Sequence, residues 1–194
     1  MKNLFFQIFL LILLVTSIFY SAQKRILPLD TTPKDSIKAG DYLKDIDNDY
    51  KPFVGDWKAG FDNMTILLRI RKVSKMLSEE GFREDKREYF EDVLVMQHVI
   101  LDSAGNVIED YFSPNLKVYK ILSQRYSKVR KTAFFYYSGA NCGSGAGGVD
   151  LSMVDSTHFT WSYTGICGVW GGCPKNTDLT VHIPTKRGLI FTKM

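Results

Sequence analysis

After Pro52 the side chains alternate, and that two-residue period limits the chain to few folds. Ile66, Leu68 and Ile70 fall between Thr65, Leu67, Arg69 and Arg71, an apolar row on one face and mostly polar groups on the other, as in a half-buried strand. Similar runs recur at residues 118–122, 132–137, 149–154, 159–163 and 189–192. The stretches SEEGF, DSAGN, SPN and DST between such runs carry residues that reverse a chain. Residues 88–101, EYFEDVLVMQHVIL, are apolar on both faces in the middle, which predicts a bend or bulge in that strand. The charged stretch SKMLSEEGFREDKREYF, with Gly81 inside it, reads as a loop between long strands, and no segment has a convincing helical period. Many short strands with turns between them predict an all-β domain, and roughly eight to ten of them suit a single antiparallel up-and-down β-barrel.

The first residues have a different composition. Lys2, an apolar run from Leu4 to Val15 and a polar end at Ser21-Ala22-Gln23 form the pattern of a signal peptide over 1–22. Residues 23–51 lack a sustained apolar period and read as an extended, mostly solvated N-terminal arm, which leaves 52–194 for the barrel. Within the arm, Asp45, Asp47 and Asp49 begin like a calcium loop, but the sixth and twelfth positions hold Tyr50 and Asp56 where Gly and Glu are needed. Without residues 1–22 the 25 basic residues fall to 24 against 21 acidic ones, too small an excess to imply a polyanion partner.

Cys142, Cys167 and Cys173 all lie in the last third, and an exported chain meets conditions in which disulfides persist. Zinc is disfavoured because His98, His158 and His182 are scattered. Leu151 and Met153 can face Trp161 and Phe159 across a hairpin whose tip is near Asp155–Thr157. Extending that register brings Cys142 opposite residues 170–172, so pairing alone leaves both Cys173 and Cys167 open as partners. Gly143, Gly145 and Gly148 spell G-x-G-x-x-G, the fingerprint of a dinucleotide loop. Such a loop rests a pyrophosphate on the N-terminus of the next helix, whereas here the next segment, VDLSMVD, alternates like a strand. The glycines therefore read as a stapled turn, and no cofactor is expected.

The order of LPLDTTPKDSIKAGDYLKDIDND, FVGDWKAGFDNMTILLRIRKV, NCG, FTWSY, GGCP and LIFTK resembles a family of uncharacterised small secreted proteins of Bacteroidota, a domain of unknown function. In that pattern the cysteine after the FTWSY-like strand corresponds to Cys173, so the resemblance implies a Cys142–Cys173 bridge and makes Cys167 an addition. Gly55-Asp56-Trp57 is similar to the G-x-W signature of lipocalins and related calycins. That resemblance implies a lipocalin/calycin-like barrel in which a basic residue of the final strand, Lys193 or Arg187, packs across the tryptophan. Four Asp-Ser/Thr pairs, at Thr31, Ser36, Ser103 and Ser156, resemble the O-glycosylation acceptor of exported proteins of the same group.

Four functions compete. In the first, a secreted or periplasmic barrel holds a small apolar ligand in a cup lined by Trp57, Ile66, Leu68, Phe135, Tyr137 and Trp161. In the second, a protein-interaction or inhibitor module reads an extracytoplasmic partner with loops 141–148 and 167–174, through Asn141 and Trp170. Catalysis, the third, lacks a sequence signature: His98 lies mid-strand, His158 lies at a turn, and the paired acids sit in charged loops. Nucleic-acid binding rests only on Arg69, Arg71 and Lys72 and on Lys128, Arg130 and Lys131, the ordinary dress of a solvated face. The expectation is a binding protein that is not an enzyme.

Overall fold

The computed structural model describes residues 24–81, 86–166, 168 and 172–194. The predicted signal peptide and two predicted functional positions, Cys167 and Trp170, lie outside the described residues. Eleven strands and three single-turn 3-10 segments make up the regular structure, with no α-helix among the described residues. In chain order the strands are β1 (Ile26–Pro28), β2 (Tyr42–Lys44), β3 (Gly55–Phe61), β4 (Met64–Glu80), β5 (Arg87–Leu101), β6 (Val107–Asp110), β7 (Ile121–Ser127), β8 (Thr132–Tyr137), β9 (Gly147–Met153), β10 (His158–Gly165) and β11 (Leu189–Lys193). Eight of them close a barrel in the order β5-β4-β3-β11-β10-β9-β8-β7, with β7 returning to β5 and every barrel pair antiparallel.

Local chemistry sets this register. Asp62 and Asn63, both at positive φ, form the two-residue turn between β3 and β4, which seats Phe61 opposite Met64. The β9–β10 hairpin pairs Met153 with Phe159 and Leu151 with Trp161, as the alternation predicts.

The charged stretch after Val73, expected as a loop, is strand as far as Glu80 and again from Arg87. β4 continues to Glu80 and stays paired with β5, from Met76–Glu91 to Glu80–Arg87, so the two strands extend beyond the barrel as a long hairpin. The expected distortion falls on the neighbours of β5 and not on β5 itself. β4 carries a bulge between Val73 and Met76, where Lys75 takes φ 59°, and β6 carries another opposite Ile100 and Leu101. Three elements share the second edge of β5: β2 pairs at Phe90 and Glu91, β7 at Val95 and Met96, and β6 at Val99–Leu101. Gln97 is buried on the outward face, where the segment after β6 takes up its amide: Gln97 Nε2 donates to Val118 O at 2.8 Å.

The N-terminal segment is extended and largely exposed, yet it is pinned at several points. β1 runs parallel to β2, and β2 runs parallel to the outer part of β5. Ile37, Leu43 and Tyr89 form a small second core beneath it. Asp45 accepts the backbone N–H of Asp49 at 2.8 Å and pairs with Lys72 at 2.8 Å. Asp92, fully buried beside them, accepts from Tyr42, from the N–H groups of Asp45 and Lys75, and lies 3.2 Å from Lys72. Burial pushes the Asp92 carboxyl up, but these donors outweigh it and hold it below the ordinary carboxylate range.

Candidate functional site

The six residues predicted to line a cup are all in the core: Trp57, Ile66, Leu68, Phe135, Tyr137 and Trp161 are 0–2 % exposed. Trp57, Phe159, Phe191 and Trp161 form a chain of rings at 4.5, 5.1 and 5.7 Å between successive centroids. Both tryptophans also spend their N–H groups on the segments that close the barrel: Trp57 Nε1 donates to Phe53 O at 2.9 Å, and Trp161 Nε1 to Pro184 O at 2.9 Å. Phe53, in the 3-10 turn Lys51–Phe53, plugs the end where β3 starts, and Ile183, in the segment between β10 and β11, joins the core from the other end. Lys193, and not Arg187, is the basic residue over Trp57, 5.1 Å from its ring. Its stem crosses Gly55, where a Cβ would stand 2.7 Å from Lys193 Cε at φ 152°, so the glycine of G-x-W leaves room for the lysine.

None of the six lines the open clefts described here. A cleft of about 740 Å³ lies beside the 3-10 turn that carries Phe53, bounded by Pro52, Tyr126, Met153, Val154 and Ser156. Two acids and four lysines complete its wall: Asp49, Asp155, Lys51, Lys128, Lys131 and Lys193. The acids are already engaged. Asp155 accepts from Thr157 N–H at 2.7 Å and from its hydroxyl at 2.9 Å, which with His158 lowers its pKa to about 2. Asp49 belongs to a triad with Asp30 and Asp47 whose oxygens lie within 4.8 Å of one another, and Lys128 pairs with all three, at 2.9 Å from Asp30 and 3.4 Å from Asp49. The would-be calcium loop thus holds the protein's own ammonium, tying the N-terminal segment to the β7–β8 turn. Lys51 and Lys131 make no ion pair among the described residues, and Lys193 sits on Trp57, so the cleft carries a net positive wall.

The glycine-rich turn is a structural fixture. Cys142 and Cys173 are bonded, as the family resemblance implies, with their Cα atoms 5.7 Å apart. Gly143 and Gly145 take φ of 72° and 63°, and a Cβ on Gly145 would meet Val181 Cγ2 at 2.5 Å. Asn141 Nδ2 donates to Asp178 O at 2.9 Å and the Ser144 hydroxyl to Leu179 O at 2.8 Å, so this turn grips the segment that carries Ile183. β9 follows directly, so the glycines lead into a strand.

Sequence reasoning missed two features. Lys51 and Lys131 are far apart in the chain and converge only through the plug and the β8 start. His98, fully buried, meets Glu109 across β5–β6 at 3.0 Å and packs against the Tyr111 ring at 4.9 Å. Glu109 is raised by burial but lowered more by these neighbours, and ends below the ordinary carboxylate range. The hydroxyl residues of the four Asp-Ser/Thr pairs, Thr31, Ser36, Ser103 and Ser156, are all exposed.

Among the described residues no helix is long and apolar enough to cross a membrane. No curated protein and no solved structure matches the chain. A family model described as a family of unknown function (DUF6705) matches residues 1–192, and the chain belongs to that family.

Proposed function

We propose that this is an exported binding protein that takes a small anionic amphiphile in the cleft at the mouth of the barrel, and that it performs no catalysis. The observation that carries the reading is the contrast between a filled interior and an open, positively walled mouth. All six interior candidates are packed, while the mouth cleft has a volume in the range of small-molecule sites. Met153, Val154, Pro52 and Tyr126 offer an apolar floor, and Lys51 and Lys131 offer charges with no ion-pair partner among the described residues. A carboxylate on a short hydrocarbon chain matches both. Export is supported by the leader-like first residues and by the Cys142–Cys173 bridge. A partner-reading role for loops 141–148 and 167–174 is less well supported, because Asn141 and Ser144 are committed within the protein.

The test is calorimetric titration of the mature protein with decanoate and, separately, with decanol. The expected result is saturable decanoate binding, weaker decanol binding, and a loss of roughly tenfold or more in decanoate affinity in the Lys51→Gln/Lys131→Gln variant. Equal affinity for the two probes, or no effect of the double substitution, refutes the reading.

A further inference from the structure

A second cleft, of about 490 Å³, lies between the N-terminal segment, the projecting β4–β5 hairpin and β7. Its apolar walls come from Leu29, Ile37 and Leu43 on one side and Leu122 on the other, with the rings of Tyr89 and Tyr126 between them. Register explains the polar floor. Ser78 pairs directly with Tyr89, Met76 with Glu91 and Glu80 with Arg87, so all six share one face of the hairpin, and Arg87 on that face donates to Ile37 O at 2.9 Å. That face would be solvated on a free hairpin. Here the N-terminal segment roofs it, and the carboxylates are left in a half-apolar space.

Among the described residues neither carboxylate is fully satisfied. Glu91 accepts one hydrogen bond, from the Ser78 hydroxyl at 2.5 Å, and burial raises its pKa above the ordinary value. Glu80 Oε2 is shielded from solvent and has no hydrogen-bond partner among the described residues. Its other oxygen stands 3.7 Å from the ammonium of Lys34, whose side chain is mostly exposed at the rim. A carboxylate oxygen buried without a donor costs free energy that a donor entering the cleft recovers. The donor that also suits two tyrosine faces is a cation.

We propose that this cleft binds a small organic cation, a primary ammonium on a short apolar body, whose ammonium lies between Glu80 and Glu91 and whose body packs on Ile37, Leu43 and Leu122. The site is separate from the mouth cleft and opposite to it in charge preference, and Tyr126 lines both. Lys34 is a tethered competitor, an ammonium of the protein's own that reaches only the outer Glu80 oxygen.

The experiment is a methyl-NMR titration of the mature protein with hexylammonium chloride, hexanol and hexanoate, followed at Ile37, Leu43 and Leu122. Hexylammonium is expected to shift these methyl groups saturably, with Met153 and Val154 in the mouth cleft unmoved. Hexanol and hexanoate should bind there roughly tenfold or more weakly. Glu80→Gln and Glu91→Gln should each cut hexylammonium affinity by roughly tenfold while leaving the response to hexanol unchanged. Lys34→Gln, at an exposed position that folding does not need, should tighten hexylammonium binding by roughly twofold to fivefold. Absence of saturable shifts at the three residues, equal affinity for hexanol, or indifference to all three substitutions overturns the proposal. Failure of decanoate at the mouth leaves these outcomes untouched, so the two readings fail separately.

Discussion

Two adjacent glycines should respond oppositely to the same substitution. Gly147 and Gly148 both lie in β9, where Gly147 pairs with Tyr137 and Gly165 and Gly148 pairs with Tyr136 and Thr164. A Cβ on Gly147 would stand 2.3 Å from Thr164 O and 2.8 Å from Gly165 Cα, and both obstacles are backbone. A relaxed C···O contact needs about 3.3 Å, so Gly147→Ala must push β9 and β10 apart by about 1 Å. Overpacking of this kind costs about 1–3 kcal/mol, and weakening one or two ladder hydrogen bonds adds about 1 kcal/mol each. The expected loss is about 3 kcal/mol. A Cβ on Gly148 meets nothing within 4 Å, so Gly148→Ala should be neutral or gain about 0.5–1 kcal/mol from the lost glycine entropy. In urea, with a slope of about 2 kcal/mol per M, the two variants should unfold at midpoints about 2 M apart. Midpoints that coincide would refute the register and the close strand approach on which the lower end of the barrel is built.

Other expected outcomes follow from the same contacts. Replacing Cys142 and Cys173 with Ser opens a bridge of sequence separation 31, and chain entropy puts the loss at about 3.7 kcal/mol, read as a urea midpoint shift against the oxidised parent. Trp161→Phe leaves the Pro184 carbonyl without its 2.9 Å donor and should cost about 1–3 kcal/mol in thermal or urea unfolding. Glu91→Gln should raise stability at neutral pH. The folded protein holds the Glu91 pKa above its unfolded value, so the charged form is penalised above that folded pKa, and the penalty fades as pH falls through it. The advantage of the variant, followed by melting temperature against pH, should therefore be largest near neutrality and vanish under acid; a constant advantage contradicts the assignment.

The barrel was readable because its faces alternate. Ile66, Leu68 and Ile70 point inward against Ile100, His98 and Met96, and Phe159 and Trp161 face Met153 and Leu151, so period and turn chemistry carried the pairing. The outer half of the β4–β5 hairpin was not readable. Serine and glutamate in 74–80 look like a solvated loop, and only the N-terminal segment, distant in sequence, gives them a partner to fold against. The same reason hid the clefts. Lys51 and Lys131 come from separate turns, and Glu80 and Glu91 come from opposite sides of a hairpin tip. The six residues of the expected cup lie inside, but inward direction does not distinguish a lining from a filling; the Phe53 and Ile183 plugs fill what an open barrel would leave empty.

The most direct test is where in the barrel a bound chain lies. Isotope-filtered NOE spectra of the mature protein with decanoate should show contacts from the alkyl protons to Met153, Val154 and Tyr126 at the mouth. Contacts instead to Phe159, Trp161 or Phe191 would place the ligand within the barrel and contradict the claim that its interior is filled.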